Sequence, residues 1–414
     1  MAPSQASAAA TLPLAGVRVL DLSRVLAGPF CCQVLADLGA DVVKVERPGL
    51  GDETRQWGPP YAGEGGPSAY YLSANRGKRS LALDLSTPAG RALLERLIAK
   101  ADVLVENFLP STAQKLGLTR DRLAQLQPAL VSCSISGYGR TGPLADVPGY
   151  DLVIQAASGL MAITGEPQGM PMKVGVAISD VITGLYAATS VLAGLVARGH
   201  GQAGKAFDLS LLDCTLAGLV NVAESALVTG NRPKRYGNAH PQIVPYEAFA
   251  TADSHLVLAV GNDGQWQRFC QAAERPDLAA DERFTTNPLR VQHRETLIAL
   301  LQPVLEARSL ADWEARLTSA EVPHGPVLPL DETFALPVVA AREMVTETAL
   351  TSGEQVRLVG NPIHWPERPT TAAVAPPDLG QHTREVLREW LGMADAEIEG
   401  LVGQKVVSDQ ERRN

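Results

Sequence analysis

From Gly16 onward the chain sets short apolar runs of strand length between stretches of helical period. Gly16-Val-Arg-Val-Leu-Asp-Leu22, Asp41-Val-Val-Lys-Val-Glu46, Ser80-Leu-Ala-Leu-Asp84, Asp102-Val-Leu-Val-Glu106 and Leu130-Val-Ser-Cys-Ser-Ile135 read as strands. Between them, Phe30–Leu38 reads as a short amphipathic helix stopped by Gly39. Thr87–Lys100 reads as a helix with Pro88 at its first position. Alternating apolar strands and helices predict an α/β fold, a parallel sheet covered by helices in a Rossmann-like layering.

The texture changes at Asp180. Two apolar helices, Val181–Arg198 and Leu212–Val228, flank the strand Ala206-Phe-Asp-Leu-Ser210. The loop Asn231-Arg-Pro-Lys-Arg-Tyr-Gly-Asn238 marks a boundary. Beyond it, Tyr246–Val260 predicts a hairpin turning near Asp253-Ser254, and charged amphipathic helices run to about Ser319, as in a smaller α+β domain. The proline-rich stretch Pro362–Pro377 reads as an extended return linker, and Arg384–Met393 as a terminal amphipathic helix.

Composition narrows the function classes. Of 414 residues, 45% are apolar and 20% charged, the range of a globular chain with a large core. A net charge of −9 without a lysine or arginine run argues against nucleic acid as a partner. An anionic substrate would therefore need a local cationic pocket. Five scattered cysteines form neither a disulfide framework nor a metal-ligand pattern, and they read as small buried hydrophobes in a reducing, cytoplasmic setting. The first residues, MAPSQASAAATLPLAG, lack the features of a secretory or transit peptide and read as a disordered lead-in. Val181–Ala197 is the one membrane candidate; its interspersed Thr, Gly, Tyr and Ser favour a buried core helix.

Several familiar motifs fail. The first strand is followed by Leu22-Ser-Arg-Val-Leu-Ala-Gly-Pro29 and not by G-x-G-x-x-G, so NAD is not expected. Gly199-His-Gly-Gln-Ala-Gly-Lys205 has phosphate-loop spacing. It lacks the hydroxyl that would hold Mg²⁺, and it joins a helix to a strand, which is the inverted order. Neither G-x-S-x-G nor H-E-x-x-H occurs.

Ordered blocks across Leu14–Leu391 resemble the class III CoA-transferases. They include Leu14–Pro29, Leu38–Gly49, Asn75-Arg-Gly-Lys-Arg-Ser80, Ala101–Phe108, Ser136-Gly-Tyr-Gly139, Gly149-Tyr-Asp151 and Ser179-Asp180. The series continues with Gly199–Asp213, Tyr246-Glu247, Gly261-Asn-Asp263 and Val322-Pro-His-Gly-Pro326. The resemblance implies a large domain built from both chain ends, a small middle domain, and two chains interlocked as a homodimer. The corresponding ranges are a lead-in at 1–13, large domain at 14–228, small domain at 229–330, and return linker with the rest of the large domain at 331–414.

The resemblance also implies an acyl-CoA donor, a carboxylic acid acceptor, and no metal or redox cofactor. It places Asp180 as the carboxylate that attacks the thioester, giving a mixed anhydride and CoA thiolate. A helix start would help keep that carboxylate ionised; read from periodicity alone, Asp180 could equally be an N-cap. For CoA, the resemblance implies Val25 and Ala27 beside the pantetheine, with Asn107, Phe108 and Tyr138 in the same cleft. Arg47, Lys78, Arg79 and Lys115 are implied at the phosphates. Lys115 stands where formyl-CoA transferase has Arg, which keeps the charge but loses the fork.

The related 2-methylacyl-CoA racemases carry a His after the Gly of the Gly-x-Asp block. Here Tyr150 stands in its place, and a phenol is a poor base at neutrality, which favours transfer over racemisation. The acceptor side resembles the dicarboxylate-using branch, with His240, Gln242 and Glu247 as candidates and succinyl-CoA as the expected donor.

Overall fold

The computed structural model describes residues 12–365 and 374–409. The expected lead-in therefore lies almost wholly outside the described residues, as does half of the Pro362–Pro377 linker. Contacts divide the chain into two units. One comprises 1–158, 175–224 and 337–414; the other comprises 159–174 and 225–336. The sequence boundaries had been set at 228 and 330, with 159–174 in the large domain.

The first unit carries β1 (Arg18–Asp21), β2 (Asp41–Glu46), β3 (Arg79–Leu83), β4 (Val103–Glu106), β5 (Val131–Ser136) and β6 (Ala206–Ser210). They form one parallel sheet in the order 3-2-1-4-5-6, the order of doubly wound α/β sheets. Both faces of each strand are covered, so successive side chains enter different cores. Leu20 and Leu104 pack with Leu93, Leu97, Val386 and Trp390 on one face. Val19, Val103 and Val105 pack with Cys31, Leu35, Ala187 and Val191 on the other.

The helices start for local reasons. Pro88–Ile98 begins with the Thr87 hydroxyl accepting from Gly90 N–H and proline in its first turn. Ile178–Gly199, 22 residues, is apolar and long enough to cross a membrane by composition. It lies instead along the sheet, with Ala187, Ala188 and Val191 buried in the core. Gly184 lets it come close. A Cβ there would sit 2.8 Å from the Ala27 carbonyl oxygen and 3.1 Å from the Phe30 ring.

Three expectations need correction. Leu212–Val228 is two helices, Leu211–Gly218 and Val220–Thr229, bent by 82° where Val220 takes φ 34°. Thr383–Leu391 is not terminal. Asp395–Gly403 follows it, and β12 (Val407–Ser408) pairs antiparallel with β3. A hairpin of β10 (Val345–Ala349) and β11 (Gln355–Val359) was missed, because its alternation is too polar to announce burial on either face.

The second unit holds the hairpin β7 (Tyr246–Ala250) and β8 (His255–Ala259), joined by β9 (His324–Pro326). Its core collects Trp266, Phe269, Phe284, Leu297, Leu301 and Trp313. Arg290, fully buried, donates to the Val244 and Phe284 carbonyls and to Asp263.

One packing detail is testable. A Cβ on Gly137 would lie 2.6 Å from the Gly149 Cα, and one on Gly149 would lie 2.5 Å from the Gly137 Cα. Because backbone cannot rotate away, Gly137→Ala is expected to lower stability by about 1–3 kcal/mol in urea melts. Gly400→Ala, in the open flank of a helix, should be neutral or slightly stabilising.

Candidate active site

In a doubly wound sheet, ligands bind beyond the carboxyl ends of the strands where the strand order reverses. Here that point lies between β1 and β4. The cleft found there, about 260 Å³, is lined by the segments following β1 (Arg24, Val25, Ala27), β4 (Asn107, Phe108, Leu109) and β5 (Ser136, Gly137). The Gly149-Tyr150 turn, Glu53, Thr112, Leu211 and Asp180 complete it.

The β1 loop is held from every side. Asn107 clamps Arg24, its Oδ1 accepting from the Arg24 N–H at 2.9 Å and its Nδ2 donating to the Arg24 carbonyl at 2.8 Å. The Asp52 carboxylate accepts from the Val25 N–H at 3.3 Å. Lys44, wholly buried, bridges Asp52 at 2.9 Å and the Ser23 carbonyl at 2.9 Å. Val25 itself sits at φ 69°, a conformation a β-branched residue adopts only when its surroundings enforce it. Burial pushes the Asp52 carboxyl up, and Lys44 with Thr54 outweighs that, holding it below its ordinary range.

Asp180 is the third residue of its helix, not the N-cap, because the helix begins at Ile178 after Ala177. The Ala27 backbone N–H is near enough to its carboxylate to favour the ionised form. Burial pushes it up, the neighbouring Asp151 carboxylate adds to this, and the Ala27 N–H opposes them; the outcome is about 7. The expectation that a helix start would keep this group firmly ionised therefore needs revision: burial and a like charge win. Asp151 is fixed in place, with Oδ1 accepting from Ser179 N–H at 2.9 Å and Oδ2 from the Gln155 side chain at 2.7 Å.

Of the residues singled out from sequence, Val25, Ala27, Asn107, Phe108, Tyr150 and Asp180 line one cleft. The cations do not join them. Lys78 is 1% exposed, and its three donors go to Asp21, the Pro29 carbonyl and Asn75, which leaves none for a phosphate. Arg79 is committed to Asp41 in a two-bond fork and to Glu385 and Glu389. Arg47 and Lys115 are exposed outside the cleft lining. Tyr138 is half-buried against the sheet core.

His240, Gln242 and Glu247 belong to the second unit. There His240 Nδ1 accepts from Gln242 N–H, the Gln242 amide donates to Ser225, and burial raises Glu247 against the pull of Arg294. Sequence reasoning missed Arg24, Asp151 and Tyr70. Asp151 had a signal in the Gly-x-Asp block. Tyr70, pushed up to about 12 by burial and then by Asp180, had none.

A carboxyl raised in the folded state binds protons there that the unfolded chain has released, so its stabilising effect is lost as pH rises from about 4 towards 7. Asp180→Asn removes that liability. It is expected to raise stability at pH 8 by about 1–3 kcal/mol and by much less at pH 5, read from chemical denaturation at both values.

With that geometry in place, the comparisons with known proteins are direct. The family model described as CoA-transferase family III matches residues 14–383. The chain is similar to succinate–glutarate CoA-transferase of Agrobacterium fabrum, 45% identical over 91% of this chain and 95% of the relative. It is also similar to succinyl-CoA:glutarate CoA-transferase of Homo sapiens, 40% identical over 96% of this chain and 91% of the relative. A solved CAIB/BAIF family protein from Brucella suis superposes with a TM-score of 0.80 at 40% identity, covering 92% of this chain and all of that one. A cleft at the sheet's reversal point with one strongly perturbed carboxyl thus sits in a chain matched along nearly its whole length, and the chain belongs to CoA-transferase family III as an enzyme of that class.

Proposed function

We propose that the enzyme moves CoA from succinyl-CoA or a similar acyl-CoA to a short dicarboxylic acid through a covalent intermediate on Asp180. The observation that carries this reading is the Asp180 carboxyl, buried at the cleft and raised by that burial and by Asp151. The acceptor class comes from the relatives, whose names specify succinate and glutarate.

The chemistry follows from what a carboxylate can do without water. Asp180 attacks the thioester carbonyl, the C–S bond breaks, and a mixed anhydride forms as CoA thiolate departs. The thiolate attacks the aspartyl carbonyl, releasing the donor acid and leaving CoA on Asp180 as a thioester. The acceptor carboxylate attacks that thioester to give a second anhydride, and the thiolate then takes the acceptor acyl group, restoring Asp180. Each step exchanges one activated carbonyl for another, so the thioester's free energy is conserved. Apolar cleft walls at Phe108, Leu109, Ile135 and Leu211 suit such intermediates, because water would hydrolyse the anhydride.

The racemase alternative gains no support from the site. Tyr150, at the position where racemases carry histidine, is 59% exposed, and no hydrogen bond ties its side chain to Asp151 or Asp180. The interlocked homodimer belongs to the same reading. Leu227 and Val228 on the helix Val220–Thr229 are about four-fifths exposed, which suits a protein partner. Light scattering that returns a monomer would overturn that part.

Two outcomes test the mechanism. Incubation with succinyl-CoA and borohydride or hydroxylamine should modify the Asp180 peptide, as seen by mass spectrometry, and Asp180→Ala should lose both adduct and turnover. Because Asp180 must be ionised to attack, kcat/KM should rise with pH through about 7 and fall about tenfold per unit below it. Asp151→Asn keeps an oxygen for Ser179 but removes the like charge, so its acid limb should move to lower pH. An unmoved limb would assign the perturbation to burial alone.

A further inference from the structure

The dicarboxylate reading leaves one carboxylate unaccounted for. In a diacid acyl group, one carboxyl reacts at Asp180 and the other remains charged within a partly apolar cleft. Such a charge is stable there only beside a cation or several donors. Among the described residues lining the cleft, the charged side chains are Arg24, Glu53 and Asp180, and Arg24 is the only cation. The lysine and arginine positions that the sequence offered are either saturated inside the protein or outside the lining, so they cannot serve.

Arg24 differs from them in how it is held. Its backbone is fixed at both ends by Asn107, whereas its guanidinium makes one bond, to Glu53 at 3.3 Å. That pair is loose, with side-chain exposures of 52% and 34%. An exposed ion pair contributes little and exchanges readily for a better-placed anion. A carboxylate can accept two parallel N–H bonds from a guanidinium, which a single long contact to Glu53 does not provide.

The placement favours the acyl end of the substrate over its phosphates. Arg24 and Ala27 lie three residues apart on one loop, so their Cα atoms are at most about 11 Å apart. Ala27 lines the cleft beside Asp180, the reacting group, with its N–H near enough to favour the ionised carboxylate. The CoA phosphates lie at the other end of the pantetheine arm from the thioester. An arginine side chain rooted this close to the nucleophile can reach the far end of a four- or five-carbon diacid.

Resting on the transfer reading above, we infer that Arg24 is the specificity-determining residue of the cleft, binding the unreacting carboxylate of the acyl group, with Glu53 as its resting partner. The guanidinium leaves Glu53 when the diacid binds and returns when the product departs. Glu53 thereby keeps the cation from standing unpaired, and it also sets the threshold a substrate anion must pass.

The test compares acceptors of equal length in the intact enzyme, glutarate against pentanoate, with succinyl-CoA as the common donor. Arg24→Gln is expected to reduce the ratio of kcat/KM for glutarate over pentanoate at least tenfold. Arg24→Lys should restore part of it, since it keeps the charge without the fork. Glu53→Gln should lower the KM for glutarate severalfold. Equal losses with both acids in Arg24→Gln would overturn the assignment and place Arg24 at the CoA phosphates or in loop support. A matching rise in the inhibition constant of free CoA would identify the phosphates. Thermal melts of each variant separate these results from misfolding. Wild-type enzyme that transferred CoA to no acid at all would remove the transfer reading first, and this assignment with it.

Discussion

The site depends on how closely one loop meets one helix. Ala27 turns its N–H toward Asp180, favouring the ionised carboxylate, and its carbonyl toward Gly184, four residues further along the same helix. A side chain at Gly184 would drive the Ile178–Gly199 helix off the loop and carry Asp180 away from the cleft. The approach is therefore a backbone arrangement, and it fixes Asp180 more firmly than a side-chain contact could. The strained Val25 conformation is its counterpart. A turn tight enough to aim the Ala27 N–H at the helix start forces the preceding valine to φ 69°, and the surrounding bonds hold it there.

Those bonds rest on buried charge. Beneath the loop, Lys44 joins Asp52, Lys78 joins Asp21, and Arg55 joins Glu46, each carboxylate at most 4% exposed. Burial would push the lysine down and the carboxyls up, yet the network holds Lys44 raised and Asp21, Asp52 and Glu46 lowered, so it is ionised throughout. Asp180, a few residues away in space, receives the opposite treatment. It has a like charge nearby, one backbone donor and no cation, and it titrates near neutrality. One protein thus keeps one set of carboxylates permanently charged for structure and leaves another poised. The difference is where the lysines go.

The sheet was legible because both of its faces are buried, so its strands appear as continuous apolar runs. Asp41–Glu46 and Ala206–Ser210 have the bounds read from sequence. What sequence could not supply was the partner of each charge. Lys78 and Arg79 look like cations waiting for phosphates, yet they are spent on Asp21, Asn75 and Asp41, whose proximity exists only after β1, β2 and β3 pair. Arg24 carries the same charge, and only folding shows that its guanidinium makes a single bond, to Glu53. Asp180 was found through the family blocks; its perturbation comes first from burial and then from Asp151, 29 residues earlier, and no local pattern reveals either.

The arrangement also bears on how a carboxylate, the weakest of the usual nucleophiles, would suffice in the proposed role. An ionised aspartate in water is well solvated and unreactive toward a thioester. Burial that raises Asp180 to about 7 also strips that solvation, so the carboxylate that forms near neutrality is a stronger nucleophile than a free one. Had the cleft carried a lysine beside it, the group would be ionised at all working pH values but stabilised as an ion pair and blunted in attack. The single cation among the described residues of the lining is accordingly paired with Glu53, and Asp180 is left without an ion partner.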